Sequence, residues 1–139
     1  MIMVRRHRQP APGQRRTVRV EGHEFGSPVS LFLVDAEPGQ GSEMHIHPYA
    51  ETWVVRKGEA EFTVGEETIR GGAGDIVVGP ANIPHRFINV GTGRLEIVSI
   101  HPSETIEQVN IRAPGPDIND DRMLQADGQA LRRTEGECK

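Results

Sequence analysis

Short segments in which apolar and polar residues alternate follow one another along most of this chain. They are Thr17–Glu24, Thr52–Arg56, Ala60–Val64, Glu67–Ile69, Asp75–Val78, His85–Val90 and Arg94–Ile100, together with an apolar run at Ser30–Ala36. Glycine-rich turns separate them, and Gly71-Gly72-Ala73-Gly74 reads as a loop. Because side chains on a strand alternate between two faces, a period of two residues predicts strands with one buried face. We therefore predict an all-β fold, a sandwich or a barrel.

Composition divides the 139 residues into three parts. Residues 1–16 form a basic, flexible arm, residues 17–112 carry the predicted strands, and residues 113–139 open with a linker rich in proline and glycine. In that last part Leu124 and Leu131 provide only a thin apolar stripe, so a disordered tail and a short, loosely docked helix are both compatible with it. The middle part is long enough to bury a core as one domain.

Charge and composition argue against several function classes. The net charge is −4, and although the arginine-rich arm can bind a polyanion, the acidic remainder and the lack of a nucleic-acid motif favour a solvated segment. We therefore expect no nucleic-acid partner. No apolar run approaches the roughly 20 residues of a membrane span, and none follows the basic amino end as in a signal peptide. The single cysteine, Cys138, cannot form an internal disulfide, so we expect a reduced, cytoplasmic setting.

Four residues have the spacing of a metal site. His45 and His47 are two residues apart, so on a strand both imidazoles project to the same side. Glu51 follows across a short bend, and His85 lies on a second predicted hairpin. Three imidazoles and one carboxylate suit a divalent transition metal and leave positions for water or substrate.

The segments that carry these residues resemble the two signature motifs of the cupin superfamily. The first, G(x)5HxH(x)3–4E(x)6G, is matched at every specified position from Gly39 to Gly58. The second, G(x)5PxG(x)2H(x)3N, is matched from Gly74 to Asn89 except that Asn82 replaces a glycine. Asparagine tolerates a left-handed turn better than most residues, so we expect the turn to be kept.

The resemblance implies a cupin-type antiparallel jelly-roll β-barrel in which His45, His47, Glu51 and His85 bind one metal ion. This ligand set accepts Fe, Mn, Zn, Ni, Co or Cu, so the identity of the metal stays open. Three functions are compatible with such a site. The first is a dioxygenase-type oxidoreductase acting on a small molecule, which the open positions and apolar surroundings favour. The second is a non-redox metal enzyme (an isomerase, lyase or polyketide cyclase), and the third is a non-catalytic module that binds a sugar or another small molecule.

Other residues near the motifs have two interpretations each. Tyr49 is the nearest candidate catalytic proton donor or a solvated phenol. Trp53, Val55 and Phe87 are candidate substrate-binding residues that line the pocket, or they pack in the core. Glu43 is either a partner that orients a ligand or an exposed side chain. Outside the motifs, we interpret His23 and His101 as structural and His7 as solvated.

Alternation also predicts an apolar outer surface. If the ligands point inward, Ile46, Val54 and Ile88 point outward, and we expect them on the outer face of one sheet. A monomer would prefer polar residues there. This favours a homodimer, or coverage by the arm, over scattered exposed residues.

Overall fold

The computed structural model describes residues 1–6, 8 and 10–111. The predicted tail at 113–139 and His7 lie outside the described residues. The elements are β1 (Val18–Val20), a 3-10 helix (Gly22–Glu24), β2 (Ser30–Ala36), β3 (His45–Ile46), β4 (Glu51–Lys57), β5 (Glu59–Val64), β6 (Glu67–Gly72), β7 (Ile76–Gly79), β8 (His85–Asn89), β9 (Leu95–His101) and β10 (Val109–Asn110). Within the described residues, no helix has the length and apolar character that crossing a membrane requires.

The strands of the described residues form two five-stranded sheets. The first sheet has the order β1-β2-β9-β4-β7 and the second the order β10-β3-β8-β5-β6. Every pairing between named strands is antiparallel. The all-β class predicted from the alternation is therefore confirmed.

The first predicted strand is shorter in the structure than the sequence pattern suggests. Thr17–Glu24 alternates throughout, but β1 ends at Val20 and a turn of 3-10 helix follows. The Gly22 backbone N–H donates to the Ser30 hydroxyl oxygen at 3.0 Å, and a Cβ at Gly22 would lie 2.1 Å from a backbone carbonyl oxygen. This close approach bends the chain away from the sheet.

The second sheet continues through part of the predicted glycine loop. Gly71 and Gly72 belong to β6 and pair with Ala60 and Glu59. A Cβ on Gly71 would lie 3.1 Å from the Phe62 ring, so the glycine lets β6 pass close to the core.

Residues from both sheets fill the space between them. The buried core consists of Val34, Ala36, Trp53, Val55, Ala60, Phe62, Phe87, Leu95 and Ile97. Along β9 every second residue is buried, and these positions change from apolar Leu95 and Ile97 to polar Ser99 and His101. The barrel thus has an apolar end and a polar end.

The three outward aliphatic residues do not share one sheet. Val54 is on β4 in the first sheet, whereas Ile46 and Ile88 are on β3 and β8, which pair in the second sheet. The prediction of a single surface is wrong because the chain crosses between sheets after His47.

Candidate metal centre

Pairing of short strands brings the four predicted ligands together at the polar end of the barrel. His45 on β3 lies directly opposite His85 on β8, and Glu51 is the first residue of β4. His47 follows β3, and its carbonyl accepts the backbone N–H of Asn82 at 2.8 Å. Asn82 has a φ of 63°, the left-handed conformation expected where it replaces the motif glycine.

The ligand atoms converge on one carboxylate oxygen. Glu51 Oε1 lies 3.0 Å from His47 Nε2, 3.0 Å from His85 Nε2 and 3.7 Å from His45 Nε2. All four side chains are buried. Ligand atoms about 2.1 Å from an ion and at right angles to one another are about 3.0 Å apart, so these separations fit neighbouring positions around a transition metal.

The opposite nitrogen of each imidazole is held by the backbone. Nδ1 of His45 lies 2.6 Å from the Glu43 carbonyl oxygen, Nδ1 of His47 lies 2.7 Å from that of Glu107, and Nδ1 of His85 lies 3.0 Å from that of Ile83. A carbonyl can only accept, so each Nδ1 carries the proton and each Nε2 presents a lone pair. Glu43 therefore orients a ligand through its backbone, while its side chain is exposed.

This arrangement creates a cluster of acceptors. Three Nε2 lone pairs and a carboxylate oxygen face one another without a proton between them once the Nδ1 protons are assigned. Burial lowers the pKa of His47 below its ordinary value of 6.5 and outweighs the opposing contacts with Glu51, which keeps this imidazole neutral. A cation at the centre would satisfy all four groups, so the donor set fits a divalent metal. That these residues bind a metal remains a prediction, which the geometry supports.

The other Glu51 oxygen is held separately. Ser99 Oγ donates a hydrogen bond to Oε2, and His101 Nε2 lies 3.3 Å from the same atom. Burial raises the pKa of the Glu51 carboxyl, but the hydrogen bond from His101 leads the contacts that lower it, so the pKa lies below the ordinary value. Glu51 thus presents Oε1 alone to the centre.

A buried pair of side chains, Tyr49 and His101, adjoins the centre. The Tyr49 ring stacks on His47 at 5.0 Å between centroids, and its hydroxyl oxygen lies 2.7 Å from His101 Nδ1. Burial raises the pKa of Tyr49, so the phenol keeps its proton and donates it to Nδ1. His101 then carries its own proton on Nε2, which lies 3.1 Å from Ser99 Oγ. The chain of donors runs from Tyr49 through His101 and Ser99 to Glu51.

A cavity of about 920 Å³ opens beside these residues. His45, Glu51 and His101 reach its wall, which also includes Phe32. The amino-terminal arm forms part of the mouth, since residues 10–17 line it.

An ion-pair network ties this arm to the barrel. Arg16 Nε lies 2.9 Å from Asp35 Oδ2, and Arg94 pairs with the same carboxylate. Burial raises the pKa of Asp35, but hydrogen bonds from the two arginines lower it more. The arm from Pro10 onward is therefore a wall of the cavity.

The structure places the three predicted lining residues in two different surroundings. Phe87 lines the cavity, but Trp53 and Val55 are completely buried in the core and do not. Trp53 instead packs edge-on against the His85 ring at 5.0 Å. A Cβ on Gly79 would lie 2.9 Å from its indole ring, so the glycine makes room for that contact.

The comparisons with known proteins agree with this architecture. Residues 32–101 match the family model of the cupin domain. The chain belongs to the cupin family. An uncharacterized protein of Streptomyces coelicolor is 31% identical over 77 residues, which are 55% of this chain and 71% of that protein.

Two solved structures share the fold of this cupin. An uncharacterized Klebsiella pneumoniae protein with a double-stranded β-helix domain is 26% identical, with a TM-score of 0.59 over 76% of this chain and 90% of that one. A mutant of Bacillus subtilis oxalate decarboxylase is also 26% identical, with a TM-score of 0.58 over 66% of this chain. The match spans only 30% of that enzyme's chain. The predicted jelly-roll barrel is thus confirmed.

Sequence reasoning missed Ser99 and His101 as neighbours of the centre. We interpreted His101 as structural, yet it is buried beside Glu51 and reaches the cavity. The sequence does contain a clue, because the inward positions of β9 change from apolar to polar at Ser99. By contrast, His23 is exposed on the surface, 3.4 Å from Glu21.

Proposed function

We propose that this cupin is a metal-dependent enzyme that acts on a small organic molecule in the barrel cavity. The observation that carries the proposal is the convergence of three imidazole Nε2 atoms on Glu51 Oε1. The Nδ1 atoms of the same imidazoles are bound to backbone carbonyls, and Glu51 Oε2 is bound to Ser99. A bound transition metal would supply Lewis acidity, redox chemistry and open coordination positions. The protein would hold the ion through His45, His47, Glu51 and His85.

The cavity wall indicates the kind of molecule that would bind. Phe32, Val34, Ala36 and Phe87 give it an apolar side, and the polar side chains of Gln40 and Glu43 also line it. An apolar body with a polar end would satisfy both surfaces. The apolar side also limits the access of water to the centre, which strengthens electrostatic interactions there.

Within this class we propose a dioxygenase-type oxidoreductase. Two features support this choice: Ser99 holds one Glu51 oxygen, so the carboxylate would offer a metal one oxygen rather than two, and the apolar wall adjoins His45. A six-coordinate ion with four protein ligands has two remaining positions, enough for O2 and substrate together. The similarity to oxalate decarboxylase suggests small carboxylates as the first substrates to test.

The test is oxygen uptake by protein loaded with Fe(II) or Mn(II), measured with a panel of carboxylates that includes oxalate. We expect uptake that depends on both metal and substrate and is lost in the His47→Ala/His85→Ala variant. Turnover without oxygen would reject the dioxygenase and retain the metal enzyme. A ligand affinity that no metal alters, without turnover, would instead support the non-catalytic binding module.

A second candidate is a non-redox enzyme that moves a proton, as an isomerase, lyase or cyclase does. The observation that favours it is His101, which lies at the cavity wall with Tyr49 hydrogen-bonded to Nδ1. In this candidate His101 would exchange a proton with the substrate while Tyr49 holds the imidazole in position. Deuterium incorporation from solvent into the substrate without oxygen would distinguish it, and Tyr49→Phe should slow that incorporation.

A further inference from the structure

Three arginines, Arg15, Arg16 and Arg94, line the cavity beside the metal centre. Two of them are neutralised by carboxylates. Arg16 pairs with Asp35, and Arg94 pairs with Asp35 and, at 2.7 Å, with Glu37. Two arginines and two carboxylates carry no net charge together. Within the residues that the structure describes, Arg15 makes no hydrogen bond or ion pair, so its exposed guanidinium is available to a ligand.

The chain on both sides of Arg15 is fixed, which keeps this residue at the cavity. Before it, the Gln14 N–H donates to the Ala11 carbonyl at 3.0 Å, and Gln14 Oε1 accepts the Ala11 N–H at 3.0 Å. After it, the Thr17 hydroxyl accepts the Asp35 N–H at 2.9 Å and donates to the Asp35 carbonyl at 3.3 Å. The first pair of bonds closes a turn, and the second joins the arm to β2. Because its backbone is held, Arg15 loses less conformational freedom on binding a ligand than a residue of a free arm would.

The cavity wall also carries an unpaired negative charge, at Glu43. This residue lies beside the candidate ligand His45, whose Nδ1 its carbonyl accepts, and in the described part of the chain its carboxylate has no hydrogen bond or ion pair. With a divalent ion held by Glu51, the charges of Glu43, Glu51 and the ion would cancel. The positive charge of Arg15 would then remain at the arm. An anionic group of a ligand is therefore attracted towards the arm rather than towards the centre.

We propose that Arg15 binds the carboxylate of the substrate. The substrate class would then be an organic acid that meets the metal through a second, uncharged group such as a carbonyl or hydroxyl. A guanidinium presents a planar pair of N–H donors that matches the two oxygens of a carboxylate, and a phosphate group carries more negative charge than one guanidinium balances. Phe32, Val34 and Phe87 of the wall would contact the carbon skeleton. This inference rests on the proposed function, because it takes the cavity as the substrate site.

Family membership alone does not predict this contact. The match to the cupin domain begins at residue 32, whereas Arg15 belongs to the arm before it. In the sequence, nothing distinguishes Arg15 from the five other arginines of residues 1–20. The fold makes the difference, because it places residues 10–17 on the cavity wall.

The test measures ligand affinity by isothermal titration calorimetry in full-length wild type and two charge variants. Arg15→Gln removes the guanidinium from the cavity wall. Arg5→Gln is the matched control, since it removes the same charge from an exposed part of the same arm that does not line the cavity. The probes are the keto acids levulinate and benzoylpropionate, together with hexanoate. Each is compared with its primary amide, which has nearly the same size and no charge, and all are measured with metal-free and Mn(II)-loaded protein.

We expect wild type to bind at least one of these acids roughly tenfold more tightly than its amide. This ratio should fall to about two or less in Arg15→Gln, recover in part in Arg15→Lys and stay unchanged in Arg5→Gln. Circular dichroism checks that the variants are folded.

Three results would overturn the role of Arg15. They are a wild type that binds no acid at millimolar concentration, a wild type that binds acid and amide equally, and the same loss in Arg5→Gln as in Arg15→Gln. The last would show an effect of net charge rather than of a contact. A ratio that depends on Arg15 but is the same with and without Mn(II) would support the contact and count against the metal-dependent function.

Discussion

Ser99 is expected to control how Glu51 meets a metal, and Ser99→Ala tests this. The variant removes the hydroxyl that donates to Glu51 Oε2. A hydrogen bond to a buried charged group contributes about 1.5–3 kcal/mol, but His101 Nε2 at 3.3 Å from the same oxygen can replace part of it. We therefore expect a loss of about 1–2 kcal/mol in the unfolding free energy of the metal-free protein. Freeing the second oxygen should also weaken metal binding by roughly 10–100-fold.

A buried serine on a neighbouring strand provides the control. Ser30 donates to the Ser103 carbonyl at 2.7 Å and accepts the Gly22 N–H at 3.0 Å. Ser30→Ala should cost about 1 kcal/mol of stability but leave metal affinity within about twofold of wild type.

The assay is competition between the protein and a chelating dye for Mn(II) or Zn(II), with urea denaturation of the metal-free proteins in parallel. Metal affinity of Ser99→Ala equal to that of wild type would refute the reasoning. So would an equal loss of affinity in Ser30→Ala, since the effect would then follow stability alone.

Three further predictions concern the ligands, an ion pair and a close contact. His47→Ala with His85→Ala should lose bound metal while circular dichroism shows a folded barrel; stoichiometric metal in elemental analysis would contradict the ligand assignment. Burial raises the pKa of Asp35, but its two arginine hydrogen bonds lower it more, so its stabilisation should be present above pH 3.8 and lost as pH falls through the folded pKa. Asp35→Asn should therefore cost about 1 kcal/mol at pH 7 and less at pH 3, and a constant difference in urea denaturation would count against this. Gly79→Ala should lower the free energy of unfolding by about 1–3 kcal/mol, because the added Cβ would lie 2.9 Å from the Trp53 indole ring. Gly93→Ala is the control, since its Cβ would meet nothing within 4 Å. Equal thermal melting of the two variants would show that the ring moves freely.

The local conformation around the candidate ligands could be predicted because it depends on short-range rules. His45 and His47 share a side through the period of a strand, and the turn at Asn82 follows from the backbone preference of that residue. The strands after Lys57 were predictable for the same reason, since turns and alternation are local properties.

The surroundings of the ligands depend on pairings between distant segments, which alternation does not specify. Alternation predicts that Trp53 and Val55 point into the barrel, but it does not predict how far they lie from the polar end. Strand β4 starts at the polar end with Glu51 and runs towards the core, where both residues are buried. Likewise Ser99 lies beside Glu51 only because β9 pairs with β4 in one particular register. A shift of two residues would keep the same pattern of faces and change which residues meet.

The peptide at Glu107 extends the centre beyond the strands that carry its ligands. Its carbonyl holds His47 Nδ1, and its N–H donates to the Tyr49 hydroxyl at 3.3 Å. The matched family region ends at residue 101, six residues earlier. A chain shortened to that boundary would therefore retain all four candidate ligands but lose the hydrogen bonds that hold the His47 imidazole and the Tyr49 phenol. A shortened form of this protein should therefore keep the segment that follows β9 through β10 (Val109–Asn110).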